Sequence, residues 1–312
     1  MTSLDPVPAI SVAGLTRRYQ DHTALGDVSF TVPDGTITGL LGRNGAGKTT
    51  LLRILAGQEF PSYGSVRIFG ATPAENEDVL RRLILIREDQ AYPDNIKVSQ
   101  ALRAASWCCP SWDAALAASL LDDFGVRANK LVKSLSRGQR SAVGITIGLA
   151  ARAEVTLFDE PYAGLDAVAR QIFYDRLLAD FAEFPRTVVL STHLIDEAAA
   201  MFEQVVVIDR GRIVLDGTAD RLRGAATRVS GPSLAVDALA EGRPVWDRRS
   251  LGSQSSVVMV GPLSAADRER ARSSGLDLTP LSLQQIVVLA AGWPAGGVPA
   301  PAPGFETERT SA

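Results

Sequence analysis

Several features that define large protein classes are scarce in this sequence. Its 312 residues include only two cysteines, the adjacent Cys108 and Cys109, which are too few for a disulfide framework or a zinc site. The formal net charge is −3 and no long basic run is present, so we expect no nucleic-acid partner. The beginning of the chain lacks a secretory pattern, and no apolar run is long enough to span a bilayer. A reducing, cytoplasmic location is therefore expected.

What is present predicts an α/β protein. Short β-branched runs alternate with longer helical patterns, which is typical of a mainly parallel sheet. The runs are "ITGLLG", "VRIFG", "LILI", "VTLF", "TVVLST", "QVVVID" and "RIVLDG". The alternating runs "ISVAGLTRRY" and "LGDVSFTVPDG" predict an antiparallel sheet at the start. We place this main domain at about residues 5–224 and a small α+β domain at 225–292. The stretch 293–312 is rich in Pro, Gly and Ala, and we expect it to be disordered.

A phosphate-binding loop is the clearest motif. In "ITGLLGRNGAGKTTLLRILAG" an apolar strand leads into G-x-x-x-x-G-K-T and then into a helix, which is the setting that this motif requires. Backbone N–H groups freed by glycine converge on phosphates, and the helix N-terminus adds positive potential. Lys48 is expected at the β- and γ-phosphates and the Thr49 hydroxyl at Mg2+. The candidate ATP-binding residues are Gly42, Asn44, Gly45, Ala46, Gly47, Lys48, Thr49 and Thr50.

Two acids end a predicted buried strand in "EVTLFDEP". Burying Asp159 and Glu160 without partners would be costly, so both are expected to meet a metal, a water or a cation. Asp159 suits a strand-end acid that holds Mg2+ through water, and Glu160 suits the base that orients the attacking water. His193 ends the next strand, "TVVLSTH", and we favour its contact with the γ-phosphate or that water over a merely exposed histidine. His22, in a polar turn, is given no role.

The stretch "SLSRGQRS" at residues 134–141 predicts an anion site, because a small polar residue and a glycine precede a helix. With the phosphate loop, "LFDEP", "AGLD" and "STH" in this order, the chain resembles the ATP-binding subunits of ABC transporters over about residues 8–222. It is most similar to ATPases of bacterial two-component exporters, with "PSWDAALAASLLDDFGV" among the weaker similarities. The expected fold is a P-loop ABC-type ATPase domain with a mainly parallel core sheet, an antiparallel β subdomain and a helical subdomain at about 96–138, followed by the small α+β appendage.

The resemblance implies a head-to-tail pair of ATPase subunits that encloses two ATP molecules, and we expect a homodimer. Each phosphate loop faces the signature stretch of the other subunit, so one chain supplies half of each site. The residues expected to reach the partner's ATP are Ser136, Arg137, Gly138, Gln139 and Asp166. Tyr19, in "LTRRYQ", occupies the place of the family's adenine-stacking aromatic, with an ordinary strand tyrosine as the alternative. ATP and Mg2+ are the implied ligands.

The sequence departs from the family pattern at two places. The signature is usually Leu-Ser-Gly-Gly-Gln, and here Arg137 replaces its first glycine, which is tolerable if the side chain points outward. The loop that usually supplies a metal-linked glutamine reads "LILIREDQAYPDN". Glu88 is best placed after the strand and Gln90 lies two residues later, so either residue is a candidate for this role.

The helical segment between the loop and the signature implies a groove for a membrane subunit. Trp107 and Trp112 either line this groove or pack in a core, and Cys108 and Cys109 are most simply apolar fillers. We predict an Mg2+-dependent ATPase on the inner face of the membrane that drives a separate permease, with export favoured. The alternatives are a soluble ABC-type ATPase without a permease and a nucleotide sensor, which the presence of Glu160 and His193 disfavours.

Overall fold

The computed structural model describes residues 7–291, so the tail predicted at 293–312 lies outside the described part of the chain. The chain divides into two compact units. The first contains residues up to Leu194 together with Ala200–Asp216, and the second contains Ile195–Ala199 and the chain from Gly217 onward. The division after Asp216 lies close to the position 224 at which the sequence changes in character.

The first unit is built on two sheets. A sheet of six strands has the order β5-β6-β7-β3-β8-β9, and the pairs from β5 to β8 are parallel. A smaller antiparallel sheet has the order β2-β1-β4. The strands are β1 (Ile10–Tyr19), β2 (His22–Val32), β3 (Ile37–Leu41), β4 (Tyr63–Ile68), β5 (Leu83–Arg87), β6 (Val155–Asp159), β7 (Thr187–Thr192), β8 (Gln204–Asp209) and β9 (Arg212–Thr218).

Burial explains why the sequences of the central strands are continuous apolar runs. Every residue of β3, β6 and β7 is buried, as is usual where helices cover both faces of a parallel sheet. The helices of this unit are α1 (Lys48–Leu55), α2 (Glu77–Leu80), α3 (Val98–Cys108), α4 (Ala114–Asp123), α5 (Arg137–Ala150) and α6 (Ala167–Glu183). Helix α1 contacts β2 and β4 of the small sheet and β6 of the large one, so the hydrophobic core holds it between the two sheets.

The second unit has its own core. It contains the short helices α7 (Ile195–Ala198) and α8 (Ala219–Arg223), and then β10 (Ala226–Pro232), α9 (Ser233–Ala240), β11 (Val245–Leu251), β12 (Gln254–Val260), α10 (Ala265–Ser273), β13 (Asp277–Pro280) and α11 (Leu283–Ala291). From β10 to β13 the elements follow the order β-α-β-β-α-β, and the antiparallel strands are arranged β11-β12-β10-β13. This is the ferredoxin-like arrangement. Helix α11 contacts both α7 and α8.

These sheets and helices confirm the predicted fold class, a P-loop α/β domain followed by a small α+β appendage. The run "VRIFG" becomes β4 and joins the antiparallel sheet rather than the parallel one. None of the helices between residues 7 and 291 combines the length and the apolarity that crossing a bilayer requires.

Candidate functional site

The loop between β3 and α1 depends on glycine at its two ends. Gly42 and Gly47 have φ angles of 159° and 109°. A Cβ atom on Gly42 would lie 2.3 Å from the Ile208 carbonyl oxygen, and one on Gly47 would lie 2.8 Å from that of Ala24. The backbone of neighbouring strands thus approaches too closely for any side chain. Gly47 then serves as the N-cap residue of α1, which directs the free N–H groups of this helix towards the loop.

Lys48 is held by the loop that precedes it. Its side chain is only 5% exposed, and Nζ donates to the carbonyl oxygens of Gly42 at 2.8 Å and Arg43 at 3.2 Å. The same ammonium group lies 3.1 Å from a carboxylate oxygen of Glu160. A buried cation is thereby paired with an anion and solvated by carbonyl groups, as burial of charge requires.

Asp159 and Glu160 occupy the carboxyl end of β6 in different environments. Asp159 is buried, and its Oδ1 accepts a hydrogen bond of 2.8 Å from the Ser191 hydroxyl on β7. Glu160 leaves the strand with a φ angle of 46°, in the left-handed region that residues other than glycine seldom adopt. This backbone reversal directs its side chain to the phosphate loop.

Glu160 also joins the next strand. Its Oε2 lies 2.8 Å from Nδ1 of His193, which directly follows β7. The carboxylate therefore bridges Lys48 and His193. Behind it, the hydroxyl of Tyr162 donates to Thr192, and burial raises the pKa of this tyrosine, so the phenol stays neutral.

A cavity of about 460 Å³ lies over these residues. It brings together residues from the small sheet, the phosphate loop, the loop after β5 and the end of β6. Its lining consists of Tyr19, His22, Ala24, Asn44, Gly45, Gly47, Lys48, Thr49, Thr50, Glu88 and Glu160. Gly42 and Ala46 support the loop from behind, since Gly42 accepts from Lys48 and Ala46 is buried.

Two lining residues, His22 and Ala24, were given no site role by the sequence reasoning. His22 is the register partner of Tyr19 across the β1–β2 hairpin, so a cavity bordered by Tyr19 reaches it as well. Tyr19 itself is 38% exposed, its hydroxyl donates to Glu59, and the Arg17 guanidinium lies 4.4 Å from its ring centre. The hairpin pairing was the signal that could have identified His22.

The protein oxygens near the cavity can hold Mg2+ when substrate phosphates supply further ligands. Thr49 and Glu88 line the cavity and Asp159 lies at the adjacent strand end, which provides hydroxyl and carboxylate oxygens. Within residues 7–291 no group of three or more His, Cys, Asp or Glu side chains is arranged to hold a metal ion. Mg2+ keeps several waters and is typically held by one or two protein oxygens and the substrate phosphates, so the residues fit this ion.

The signature residues lie elsewhere in the unit. Ser136 caps α5, with its Oγ accepting from the Gln139 N–H at 3.2 Å while Gln139 Oε1 accepts from the Ser136 N–H at 3.3 Å. Asp166 caps α6 through a 2.9 Å bond from the Ala169 N–H. In the part of the chain that the structure describes, neither these residues nor Arg137 and Gly138 border the phosphate-loop cavity.

Arg137 turns towards its own subunit's loop after β5. Its guanidinium lies 2.5 Å from a carboxylate oxygen of Glu88. Glu88 borders the phosphate-loop cavity and also a second cavity of about 510 Å³, which Arg137 and Gln90 line as well. Of the two candidates for the metal-linked role, only Glu88 borders the phosphate-loop cavity in the described part of the chain, while Gln90 accepts a weak 3.5 Å bond from the Arg87 N–H.

Comparisons with known proteins identify the family of this chain. The ABC transporter family matches residues 25–163. The daunorubicin/doxorubicin resistance ATP-binding protein DrrA of Streptomyces peucetius is 32% identical over 70% of this chain and 68% of its own length. The Nod factor export ATP-binding protein I of Ralstonia nicotianae is 32% identical over 67% of each chain. The aliphatic sulfonates import ATP-binding protein SsuB 1 of Nocardia farcinica is 34% identical over 69% of this chain and 83% of its own.

Solved structures show the same architecture. The ATP-binding subunit of an ABC transporter superposes with a TM-score of 0.62 at 27% identity, covering 69% of this chain and 92% of the other. A dimeric bacterial ABC transporter cassette, at 22% identity, matches in fold with a TM-score of 0.61 over 67% of this chain and 98% of the other.

Proposed function

Because the chain belongs to the ABC transporter family as an ATP-binding, ATP-hydrolysing subunit, we propose that it works as a pair that encloses two ATP molecules and drives a separate membrane permease in export. One observation carries the proposal: the phosphate loop, Glu160 and Glu88 surround one cavity, while Ser136 and Gly138 lie outside it. A second copy that presents its signature stretch would complete the site.

The proposed chemistry follows from the contacts around Glu160. Lys48 is already held beside the phosphate loop, so bound phosphates would replace Glu160 as the partner of its ammonium group. The freed carboxylate, steadied by His193, could then orient a water molecule and accept its proton. Thr49, Asp159 and Glu88 are the residues that would hold Mg2+, which neutralises charge on the phosphates when bound.

Adenine recognition is assigned to Tyr19. This side chain borders the cavity on the side of the small sheet, and the Arg17 guanidinium over its ring leaves one ring face for a base. The chain shows no hydrogen-bonding pattern that distinguishes adenine from guanine, so the preference for ATP rests on the family.

The helical region supplies the proposed contact with the permease. Trp107, near the end of α3, is 75% exposed, so this side chain does not pack in a core. Trp112 is partly buried. An exposed tryptophan suits a protein interface, and an ATPase subunit that contacts its permease there would lie on the inner face of the membrane. Export is favoured by the similarity to the Nod factor export protein, although import proteins are similar too.

The direct test is the substitution Glu160→Gln. Purified protein should retain ATP binding and lose nearly all hydrolysis, on the order of 100-fold or more for loss of a general base, and ATP should accumulate in a stable dimer. ATPase assays and size-exclusion chromatography with ATP measure both effects. Lys48→Ala, which should not bind ATP productively, is the matched control. Unimpaired turnover by Glu160→Gln would refute the catalytic assignment.

A further inference from the structure

The contact between Glu88 and Arg137 is a feature that the proposed chemistry does not explain. Glu88 lies in the loop after β5, and Arg137 is the first residue of α5, 49 positions later. Both are places where the sequence departs from its family's usual pattern. The two residues carry opposite charges, and their side chains meet at 2.5 Å.

Packing against the backbone of Gly164 fixes the direction of the Arg137 side chain. Gly164, in the loop after β6, has a φ angle of 79°, and a Cβ atom there would lie 2.9 Å from Cγ of Arg137. The aliphatic part of Arg137 therefore passes over a backbone that carries no side chain. This packing directs the guanidinium along its own subunit to Glu88.

Glu88 lies where its charge can affect nucleotide binding. Its carboxylate borders the phosphate-loop cavity, which already contains the carboxylate of Glu160. A nucleotide brings several further negative charges into that space. The side chains of Glu88 and Arg137 are 44% and 70% exposed, and ion pairs as exposed as this contribute little to stability. Their influence on the nearby potential is the more important effect.

We propose that Arg137 is a positioning and neutralising residue for Glu88, which allows a carboxylate to stand beside the phosphates before Mg2+ has bound. Without Arg137, Glu88 would repel the nucleotide whenever the metal is absent. The two residues would thus form a matched unit that sets how strongly nucleotide binding depends on Mg2+. This inference rests on the proposed nucleotide site.

Calorimetric titration with ADP, once with excess Mg2+ and once with EDTA, tests the inference on the full chain. Arg137→Gln should weaken ADP binding in EDTA by about two- to fivefold, the range expected for one exposed charge pair, and by less in Mg2+. Adding Glu88→Gln to this variant should restore the affinity in EDTA. Arg81→Gln, which removes an equally exposed arginine paired with Glu77 on α2, is the control and should change neither affinity.

Two results would overturn the inference. One is an Arg137→Gln effect of equal size with and without Mg2+, and the other is a double variant that binds no better than Arg137→Gln alone. Failure of the nucleotide site itself would look different, because the unchanged chain would then bind ADP no better than Lys48→Ala.

Discussion

At the scale of single residues, Glu160 combines a proposed catalytic role with an unfavourable backbone conformation. Its φ angle of 46° is one that glycine and asparagine adopt more readily than glutamate. The bond from its N–H to the Ser191 carbonyl oxygen, at 3.3 Å, and the side-chain contacts with Lys48 and His193 hold it there. Such strain persists where the surroundings determine the conformation, and it is common at active sites.

This strain can be measured by comparing Glu160→Asn with Glu160→Gln. Both variants lose the charge that faces Lys48, but asparagine tolerates the left-handed backbone better. We expect the free energy of unfolding of the asparagine variant to be about 1 kcal/mol larger than that of the glutamine variant, so the asparagine variant is the more stable. Chemical denaturation of the two nucleotide-free proteins checks this order. Equal stabilities, or a more stable glutamine variant, would show that the backbone of residue 160 carries no strain.

Residue types predicted some of the candidate site and not the rest. The convergence of Lys48, Thr49 and Glu160 on one cavity was predictable, since the motif fixes a strand-loop-helix geometry and parallel strands end at one edge. The assignment of their roles stays a prediction. The contact between Glu88 and Arg137 was not predictable, because it depends on the path of a long side chain across a loop far away in the sequence.

At the scale of elements, α10 shows how a helix start is stabilised in the second unit. Ser264 and Asp267 form a capping box, in which the Ser264 Oγ accepts from the Asp267 N–H at 3.1 Å and Asp267 accepts from the Ser264 N–H at 2.9 Å. Arg243 adds an ion pair at 2.6 Å. The hydrogen bonds from Ser264, followed by those from Arg243, hold the pKa of Asp267 well below its usual range.

Removing this cap should loosen the second unit. Ser264→Ala is expected to cost about 1 kcal/mol, the usual effect of losing an N-cap side chain. Hydrogen exchange of the β10 and β12 amides reports this loss, because these strands pair at the centre of the ferredoxin-like sheet. Ser274→Ala, at the exposed other end of α10, is the control. The capping role would be contradicted if both variants exchanged alike.

The same cap predicts a dependence on pH. Since the folded pKa of Asp267 is depressed, its stabilisation is present above its unfolded pKa of about 4 and is lost as the pH falls towards the lower folded value. The stability advantage of the unchanged chain over Asp267→Asn should therefore be larger at neutral pH than in acid. The same exchange experiment at several pH values measures it. An advantage that does not shrink in acid would argue against this linkage.

Element types were more predictable than their pairing. The runs "LILI", "VTLF", "TVVLST", "QVVVID" and "RIVLDG" all lie in strands, because β-branched composition and length decide this locally. Sequence alone could not indicate that "VRIFG" joins the antiparallel sheet, or that the appendage has the ferredoxin-like strand order. Strand order follows from packing between distant segments, which local patterns do not encode.

At the scale of the whole molecule, the proposed pair makes a prediction about mixtures. Lys48→Ala and Ser136→Ala should each be nearly inactive alone. Mixed together, they should recover up to about a quarter of the wild-type ATPase rate, since half of the random dimers are mixed and each of these holds one complete site. ATPase assays of the separate and mixed proteins check the recovery.

The matched control mixes Lys48→Ala with Glu160→Gln. Both changes lie on the same side of the proposed interface, so every mixed dimer has two defective sites and no activity should return. If the first mixture stayed as inactive as this control, Ser136 would not act on the nucleotide of its partner.

In the second unit, two helices that pack together are synthesised at different times. Helix α7, which carries the buried Ile195 and Ala198, packs on α11, whose first residue leaves the ribosome about ninety residues later. At about 5–20 residues per second, α7 waits roughly 5–20 seconds for that partner. The part of α7 that contacts α11 therefore stays uncovered by this helix throughout the interval, and a chain that stopped before residue 283 would leave it so permanently.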